Sequence, residues 1–387
     1  MRAALLTTDN RWVHNDYDNP VPHFGPAPEA LVDGFNGLPG VELHVVSCTR
    51  KPMASPAKLA ENIWFHSVHV PKLGWMRTAY QGCVRAVRKK LRQIQPDIVH
   101  GQGTESGCSL EAVHSGFPNV LTLHGNMVEM ARVGRERIGS FIWLSARFEN
   151  HALKRTAGVF CNSSFTESKV RHRARRTWLV PNALRPAFFR APPREKDQPR
   201  CIFLHVGCVC ENKQQLKVLE MARSLHLRKL NFEFRFIGYT DPANSYVQSF
   251  LTQVRQAEPD GYALYLNTKS VEEVITEMDG ASALVHTPKA EAFGLVVAEA
   301  LCRNRKVFAF RVGGVLDIAQ DVESAVLAQS DDWSGLEASL AEWIQQGRPA
   351  PPASEPVIRR RYHPSRIAQR HVEIYQEVLN RGLSKGL

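Results

Sequence analysis

Glu291-Ala292-Phe293-Gly294-Leu295-Val296-Val297-Ala298-Glu299-Ala300 follows an apolar run that ends at Val285-His286. The run reads as a buried strand, and 294–302 reads as a helix, so the segment is a strand, a loop, a glycine and a helix. That arrangement makes an anion site, because amides at a helix start point outward and a glycine lets a phosphate approach the backbone. Its size suits a diphosphate. Glu291 and Glu299 are 299 − 291 = 8 positions apart, which puts Glu291 in the loop and Glu299 about two turns into the helix. Two carboxylates beside phosphates repel them unless they serve other groups. Ribose and sugar hydroxyls are the natural partners, so the segment asks for a nucleotide sugar.

Outward from this segment, strand-like runs alternate with helix-length segments, the pattern of parallel α/β domains. In the first half the expected strands are 2–7, 42–48, 97–100, 119–123, 158–161 and 177–180, with helices at 29–38, 76–94, 140–154 and 164–172. Prolines at 181, 186, 192, 193 and 199 then exclude regular structure and mark a linker. The pattern restarts with strands at 201–206, 232–237, 263–266, 281–286 and 307–310 and helices at 213–223, 245–256, 271–278 and 294–302. After a second proline-rich stretch, a helix from about 364 to 383 carries Ile367, Val372, Ile374, Tyr375 and Val378 largely on one face. The expected division is a first domain at 1–182, a linker at 183–199, a second domain at 200–362 and a terminal helix at 363–387.

A chain of 387 residues, 43% hydrophobic and 22% charged, fits two globular domains and excludes a disordered or fibrous class. No apolar run approaches the ~20 residues of a membrane helix, and the N-terminus lacks a signal-peptide core, which predicts a cytoplasmic protein. Eight cysteines without a framework read as reduced thiols. Cys208 and Cys210 form a CxC, but no second pair or histidine cluster stands at zinc spacing. The net charge of +11 is concentrated in the first half, at Arg85, Arg88, Lys89, Lys90 and Arg92 and again at Lys169, Arg171, Arg173, Arg175 and Arg176. Both stretches read as helix faces. They suit solvent, or peripheral contact with anionic headgroups on the inner face of a membrane. Without interleaved aromatics they do not suit nucleic acid.

Glu291 to Ala300 resembles the E-x7-E element of the retaining GT-B glycosyltransferases, specifically glycosyltransferase family 4 (group 1). The resemblance implies two Rossmann-like parallel-sheet domains facing a cleft, with the terminal helix crossing back to the first domain. It places Glu291 by the donor sugar, as a catalytic residue, and Glu299 on the ribose. Phe293, Gly294, Leu295 and Val296 line the donor. Val206-Gly207-Cys208-Val209-Cys210-Glu211-Asn212-Lys213 resembles the family's glycine-and-basic element, in which Gly207 permits the turn and Lys213 meets the diphosphate. Cys208 departs from the family, standing where many members carry Arg. Gly238, after Phe236-Ile237, and Leu266-Asn267 correspond to the border of the base pocket. Val312-Gly313-Gly314 resembles the family's glycine pair before a helix. Arg303-Asn304-Arg305-Lys306 replaces its usual small residues at the next turn.

In the first half, Leu121-Thr122-Leu123-His124-Gly125 ends a strand at the edge where ligands of open parallel sheets collect. The resemblance makes His124 a second catalytic residue near the transferred sugar and His100 a structural landmark. The loop Pro22-His23-Phe24-Gly25-Pro26-Ala27 lacks the family's Gly-Gly pair, leaving Gly25 as its candidate for the acceptor and phosphate loop. The activity implied is retaining, metal-independent hexosyl transfer from a nucleotide-diphosphate sugar to an acceptor hydroxyl, in cell-envelope or polysaccharide biosynthesis. No cofactor and no metal ligand is expected, and a lipid-linked or anionic acceptor would suit the basic stretches. A same-fold epimerase or phosphorylase, and a non-catalytic nucleotide-sugar-binding relative, stay open.

Overall fold

A computed structural model describes residues 1–12, 15–190 and 199–383. The chain divides into two compact units, Met1–Arg185 with Tyr362–Leu387, and Pro186–Arg361. The division falls inside the expected linker, of which residues 191–198 lie outside the described residues.

The first unit holds an eight-stranded sheet made of β1 (Arg2–Leu6), β2 (Glu42–Thr49), β3 (Lys58–Ala60), β4 (Ile63–His69), β5 (Ile98–Gln102), β6 (Asn119–Leu123), β7 (Val159–Cys161) and β8 (Thr177–Leu179). Their order is β3-β4-β2-β1-β5-β6-β7-β8, parallel except for the short edge strand β3. Helices cover both faces, so the central strands carry continuous apolar runs. One face packs Val84, Val87 and Leu91 of the helix Gln81–Ile94. The other packs Phe35 of the helix Pro26–Phe35 together with Ile367, Ala368, Val372 and Tyr375 of the terminal helix Pro364–Leu383. The terminal helix is therefore part of the first unit's core. The Tyr375 hydroxyl meets His100 Nδ1 at 2.6 Å, and Phe35 stacks on the Tyr375 ring.

The second unit holds six parallel strands, β9 (Cys201–Val206), β10 (Phe232–Ile237), β11 (Ala263–Tyr265), β12 (Ala283–His286), β13 (Lys306–Phe310) and β14 (Ala325–Ala328). Their order is β11-β10-β9-β12-β13-β14. Numbered within the unit this is 3-2-1-4-5-6, the doubly wound Rossmann order. The connection reverses between β9 and β12, and in open parallel sheets ligands bind at the carboxyl ends of the strands beside such a switch point. Phe203, Phe234, Phe308 and Trp343 pack as a ring cluster at its centre.

Most expected elements are present within a few residues of their sequence positions. The pair β3 and β4, the strand β14 and the helices Cys108–Val113, Met127–Val133, Trp333–Gln345 and Glu355–Tyr362 were not anticipated. β4 reads Ile-Trp-Phe-His-Ser-Val-His, a half-buried strand between β2 and the short edge strand β3, with no continuous apolar run to mark it. The helix after β12 begins at Leu295, not Gly294, so Glu299 sits four residues, just over one turn, into it rather than two.

Candidate functional site

The loops after β9 and β12 meet at the second unit's topological switch point. Asn212 ties them together: its side-chain amide donates to the Ala290 carbonyl at 3.0 Å and its side-chain oxygen accepts from the Ala290 amide at 3.1 Å. Gln214 donates to the Thr287 carbonyl at 2.8 Å, and the Lys289 amide to the Asn212 carbonyl at 2.8 Å. The two segments singled out in the sequence are thus one structure.

At its centre the Lys213 ammonium donates to Glu291 Oε2 at 2.6 Å, with the two side chains 18% and 16% exposed. His286 Nε2, at the end of β12, stands 3.2 Å from the same oxygen. Burial alone would push the Glu291 carboxyl up. The His286 hydrogen bond and the Lys213 charge outweigh it and hold the group well below the usual carboxylate range. Burial, and then Lys213, push the His286 imidazole down, so it is neutral and donates its Nε2 proton to the carboxylate.

Gly294 caps the helix Leu295–Cys302 at φ +101°, a left-handed conformation that a side chain rarely adopts. The first amides beyond it lack intrahelical acceptors. Phe293 is buried beneath them, Leu295 and Val296 are partly exposed, and Glu299 is buried. The Gly314 amide donates to the Glu291 carbonyl at 3.2 Å, which draws the Gly313-Gly314 turn against this loop. On the other side, Gly238 lies so close to the Gly207 carbonyl that no Cβ fits between them. The Gly238 amide donates to the Asn267 carbonyl at 3.0 Å, and the Leu266 amide to Phe236 at 2.8 Å. Gly207, Gly238, Leu266 and Asn267 therefore share one edge of the sheet with Lys213 and Glu291. Arg303 in the altered turn is buried away from this edge, paired with Asp279 at 2.6 Å and donating to the Phe188 carbonyl at 3.2 Å.

In the first unit, His124 follows β6. Its Nε2 donates to Gln102 Oε1 at 2.9 Å, and Gln102 Nε2 donates to His100 Nε2 at 3.2 Å. This network leaves His124 Nδ1 as the ring's acceptor. Burial pushes the His124 imidazole down to about 4, so it is neutral at pH 7. His100 is fully buried between Tyr375, Thr122 and Gln102, a packing role. Gly25 caps the helix Pro26–Phe35 with a φ of −66°, and a Cβ there would meet only Pro28 Cδ at an ordinary 3.8 Å, so neither strain nor crowding demands a glycine.

Two family models match the chain: "Glycosyltransferase Family 4" over residues 32–188 and "Glycosyl transferases group 1" over residues 188–355. The chain belongs to the group 1 glycosyltransferases of family 4. Among solved structures it is similar to a sucrose-phosphate synthase of Thermosynechococcus elongatus, with a TM-score of 0.77 at 17% identity over 98% of this chain and 100% of that one. It is also similar to Anabaena HepE in complex with UDP and glucose, with a TM-score of 0.71 at 15% identity over 97% and 100% of the two chains. These likenesses establish the GT-B fold. An uncharacterised glycosyltransferase of Methanocaldococcus jannaschii is 29% identical over 122 residues, a match covering 30% of this chain and 32% of that protein.

The fold also brings together residues that carry no local sequence signal. His286 was visible only as a strand end, and its bond to Glu291 depends on the turn between them. In the first unit, Glu105 Oε1 accepts the Gly125 amide at 2.7 Å beside His124, and burial raises its carboxyl. The loop after β1 is anchored by a fully buried pair, Arg11 Nη2 to Asp9 Oδ2 at 2.6 Å. Neither residue lies in a motif-like run. Of the two basic stretches, the second is partly neutralised: Lys169 pairs with Glu129, Arg173 with Glu149, and Arg176 with Glu377. Among the described residues, Arg85, Arg88, Lys89, Lys90 and Arg92 form no ion pair. No helix is long and apolar enough to cross a membrane among the described residues.

Proposed function

We propose that this chain moves a sugar from a nucleoside-diphosphate sugar to an acceptor hydroxyl with retention at the anomeric carbon. The observation that carries the reading is the Lys213–Glu291 pair, held where the loops after β9 and β12 join. A lysine and the outward amides of Leu295 and Val296 are an anion receptor, and in this reading the donor's diphosphate takes the place of Glu291 as partner of the ammonium. Glu291 is then released toward the sugar hydroxyls, and Glu299 holds the ribose. Gly238, Leu266 and Asn267 border the base. His124 is assigned to the transferred sugar, with its free Nδ1 accepting a hydroxyl proton. Gly25 remains the candidate at the acceptor and phosphate loop.

As the bond from the anomeric carbon to the diphosphate breaks, its electron pair collects on the leaving phosphate. Lys213 and the helix amides are placed to stabilise that charge, so the scheme calls for no metal and no cofactor. The acceptor is assigned to an anionic or lipid-linked class, with the unpaired basic face of the helix Gln81–Ile94 in peripheral contact with the inner membrane face. That reading places the enzyme in cell-envelope or polysaccharide biosynthesis. UDP is the first nucleotide to try, since it is bound in the Anabaena structure.

A thermal-shift screen against UDP, GDP, ADP and their sugars tests the donor reading, because a ligand selective for the native state raises the melting point. Release of free nucleoside diphosphate only with acceptor present, at a rate unchanged by EDTA, is the expected result. Tight binding without turnover under any acceptor would favour the non-catalytic relative.

A further inference from the structure

The thiols of the β9 loop are unlike the rest. Cys208 is exposed and Cys210 half-buried, whereas Cys48, Cys83, Cys108, Cys161, Cys201 and Cys302 are all buried. The Cys208 and Cys210 sulfurs lie 3.7 Å apart. Their closeness is set by the fold. The chain bends through Gly207 to Cys210, and Val209 between the two cysteines is turned into the core at 5% exposure. One side chain clamps both residues: Gln215 Nε2 donates to the Cys208 carbonyl at 2.9 Å, and Gln215 Oε1 accepts from the Cys210 amide at 3.3 Å. Side-chain rotation alone has to close the gap to the ~2.05 Å of a disulfide.

The two sulfurs are also unequal. The hydrogen bond between the two thiols, and the backbone amides of Lys213 and Asn212 beside the Cys210 sulfur, hold the Cys210 thiol below its ordinary value. The same contact with Cys210, and then burial, push the Cys208 thiol up.

We propose that Cys208 and Cys210 are a thiol–disulfide exchange site whose co-substrate is a small-molecule disulfide, with Cys210 the attacking and Cys208 the resolving sulfur. The Cys210 thiolate attacks one sulfur of the co-substrate, forming a mixed disulfide and expelling one thiolate. Cys208 then loses its proton to solvent and attacks Cys210 Sγ, which expels the second thiolate and closes the Cys208–Cys210 bond. The two protein thiols lose two electrons and two protons in all, and the co-substrate gains them as two thiols. The site occupies the turn that bears Lys213. If the proposed donor reading holds, a bound diphosphate would crowd this turn and slow the exchange.

The test uses the full-length protein, reduced and then incubated with oxidised glutathione, and reads intact mass and peptide masses after alkylation. The wild type should lose two hydrogens and leave the peptide with Cys208 and Cys210 unalkylated, and dithiothreitol should reverse this. Cys208→Ser should instead stop at one glutathione on Cys210, and Cys210→Ser should stay unmodified, both with wild-type melting points. A native chain that keeps its mass while the urea-unfolded chain reacts overturns the proposal. So does a Cys210→Ser variant that takes up glutathione as fast as Cys208→Ser. Saturating UDP is the separate arm: exchange that proceeds at full rate in its presence leaves the dithiol standing and removes the diphosphate from this turn.

Discussion

Replacing Lys213 with alanine separates the residue's two jobs. In the free protein it neutralises Glu291, which at 16% exposure is largely cut off from water. Losing the partner of a fully buried charge costs about 3–5 kcal/mol, and partial access of water here reduces that to about 1–2 kcal/mol. In the proposed donor complex the ammonium would make a charge-assisted hydrogen bond to phosphate worth about 1.5–3 kcal/mol, whose loss corresponds to roughly 10- to 150-fold in affinity. Adding Glu291→Gln to Lys213→Ala removes the stranded charge. Melting temperature should then recover toward wild type while nucleotide affinity stays weak.

The pH dependence carries a sign. Glu291 is held ionised far below the usual carboxylate range in the wild type, so its stabilisation is full above the unfolded value of about 4.5 and is lost progressively as pH falls below it. Without Lys213, burial is less opposed and the carboxyl takes up its proton at higher pH. The variant's stability deficit should therefore narrow on acidification. Calorimetric titration with UDP, GDP and ADP, paired with melting curves for the four proteins of the cycle, reads both effects. Unchanged affinity of Lys213→Ala for every nucleotide that binds the wild type would refute the reasoning.

Gly238→Ala should abolish nucleotide binding and lower the melting point markedly, since its Cβ would strike the Gly207 carbonyl and push the β9 and β10 loops apart; wild-type binding by the variant would contradict the close approach. Tyr375→Ala should cost about 3–5 kcal/mol, because it empties a fully buried site between the terminal helix and His100. Equilibrium denaturation would expose a smaller loss as evidence that the helix contributes little to the first unit. Burial pushes His124 and His371 down to about 4 and His205 to about 3, so unfolding takes up their protons once pH drops below about 6.5. Stability should be full above that value and fall toward pH 4 by about 1.4 kcal/mol per pH unit for each proton taken up. Urea titrations giving a flat profile across this window would count against neutral buried histidines.

Elements whose residues are chemically committed were legible from the chain alone. The strands 201–206 and 232–237 have the same bounds in the structure: the first is an almost continuous apolar run, and the second alternates Phe with the half-buried Glu233 and Arg235. Glu291, Gly294 and Lys213 stood out for a similar reason: a phosphate-approach glycine, a helix start and a point charge leave local marks. Half-solvated strands and short helices did not, because β4, next to the edge strand, has few buried positions and the helix Cys108–Val113 is too short and too uniformly buried to show a period.

The sequence by itself thus determined the layer architecture, the family and the two loops that carry the candidate site. Only the tertiary structure decided who partners whom. Lys213 and Glu291 are 78 positions apart and become an ion pair because β9 and β12 are neighbours in the sheet. His286 becomes a donor to Glu291 through the turn after β12, and His124 becomes a neutral ring anchored by Gln102 because β5 and β6 are neighbours in the first unit's sheet. Local propensity is written residue by residue. Charge state and hydrogen-bond partnership belong to groups that approach only after the sheet has assembled.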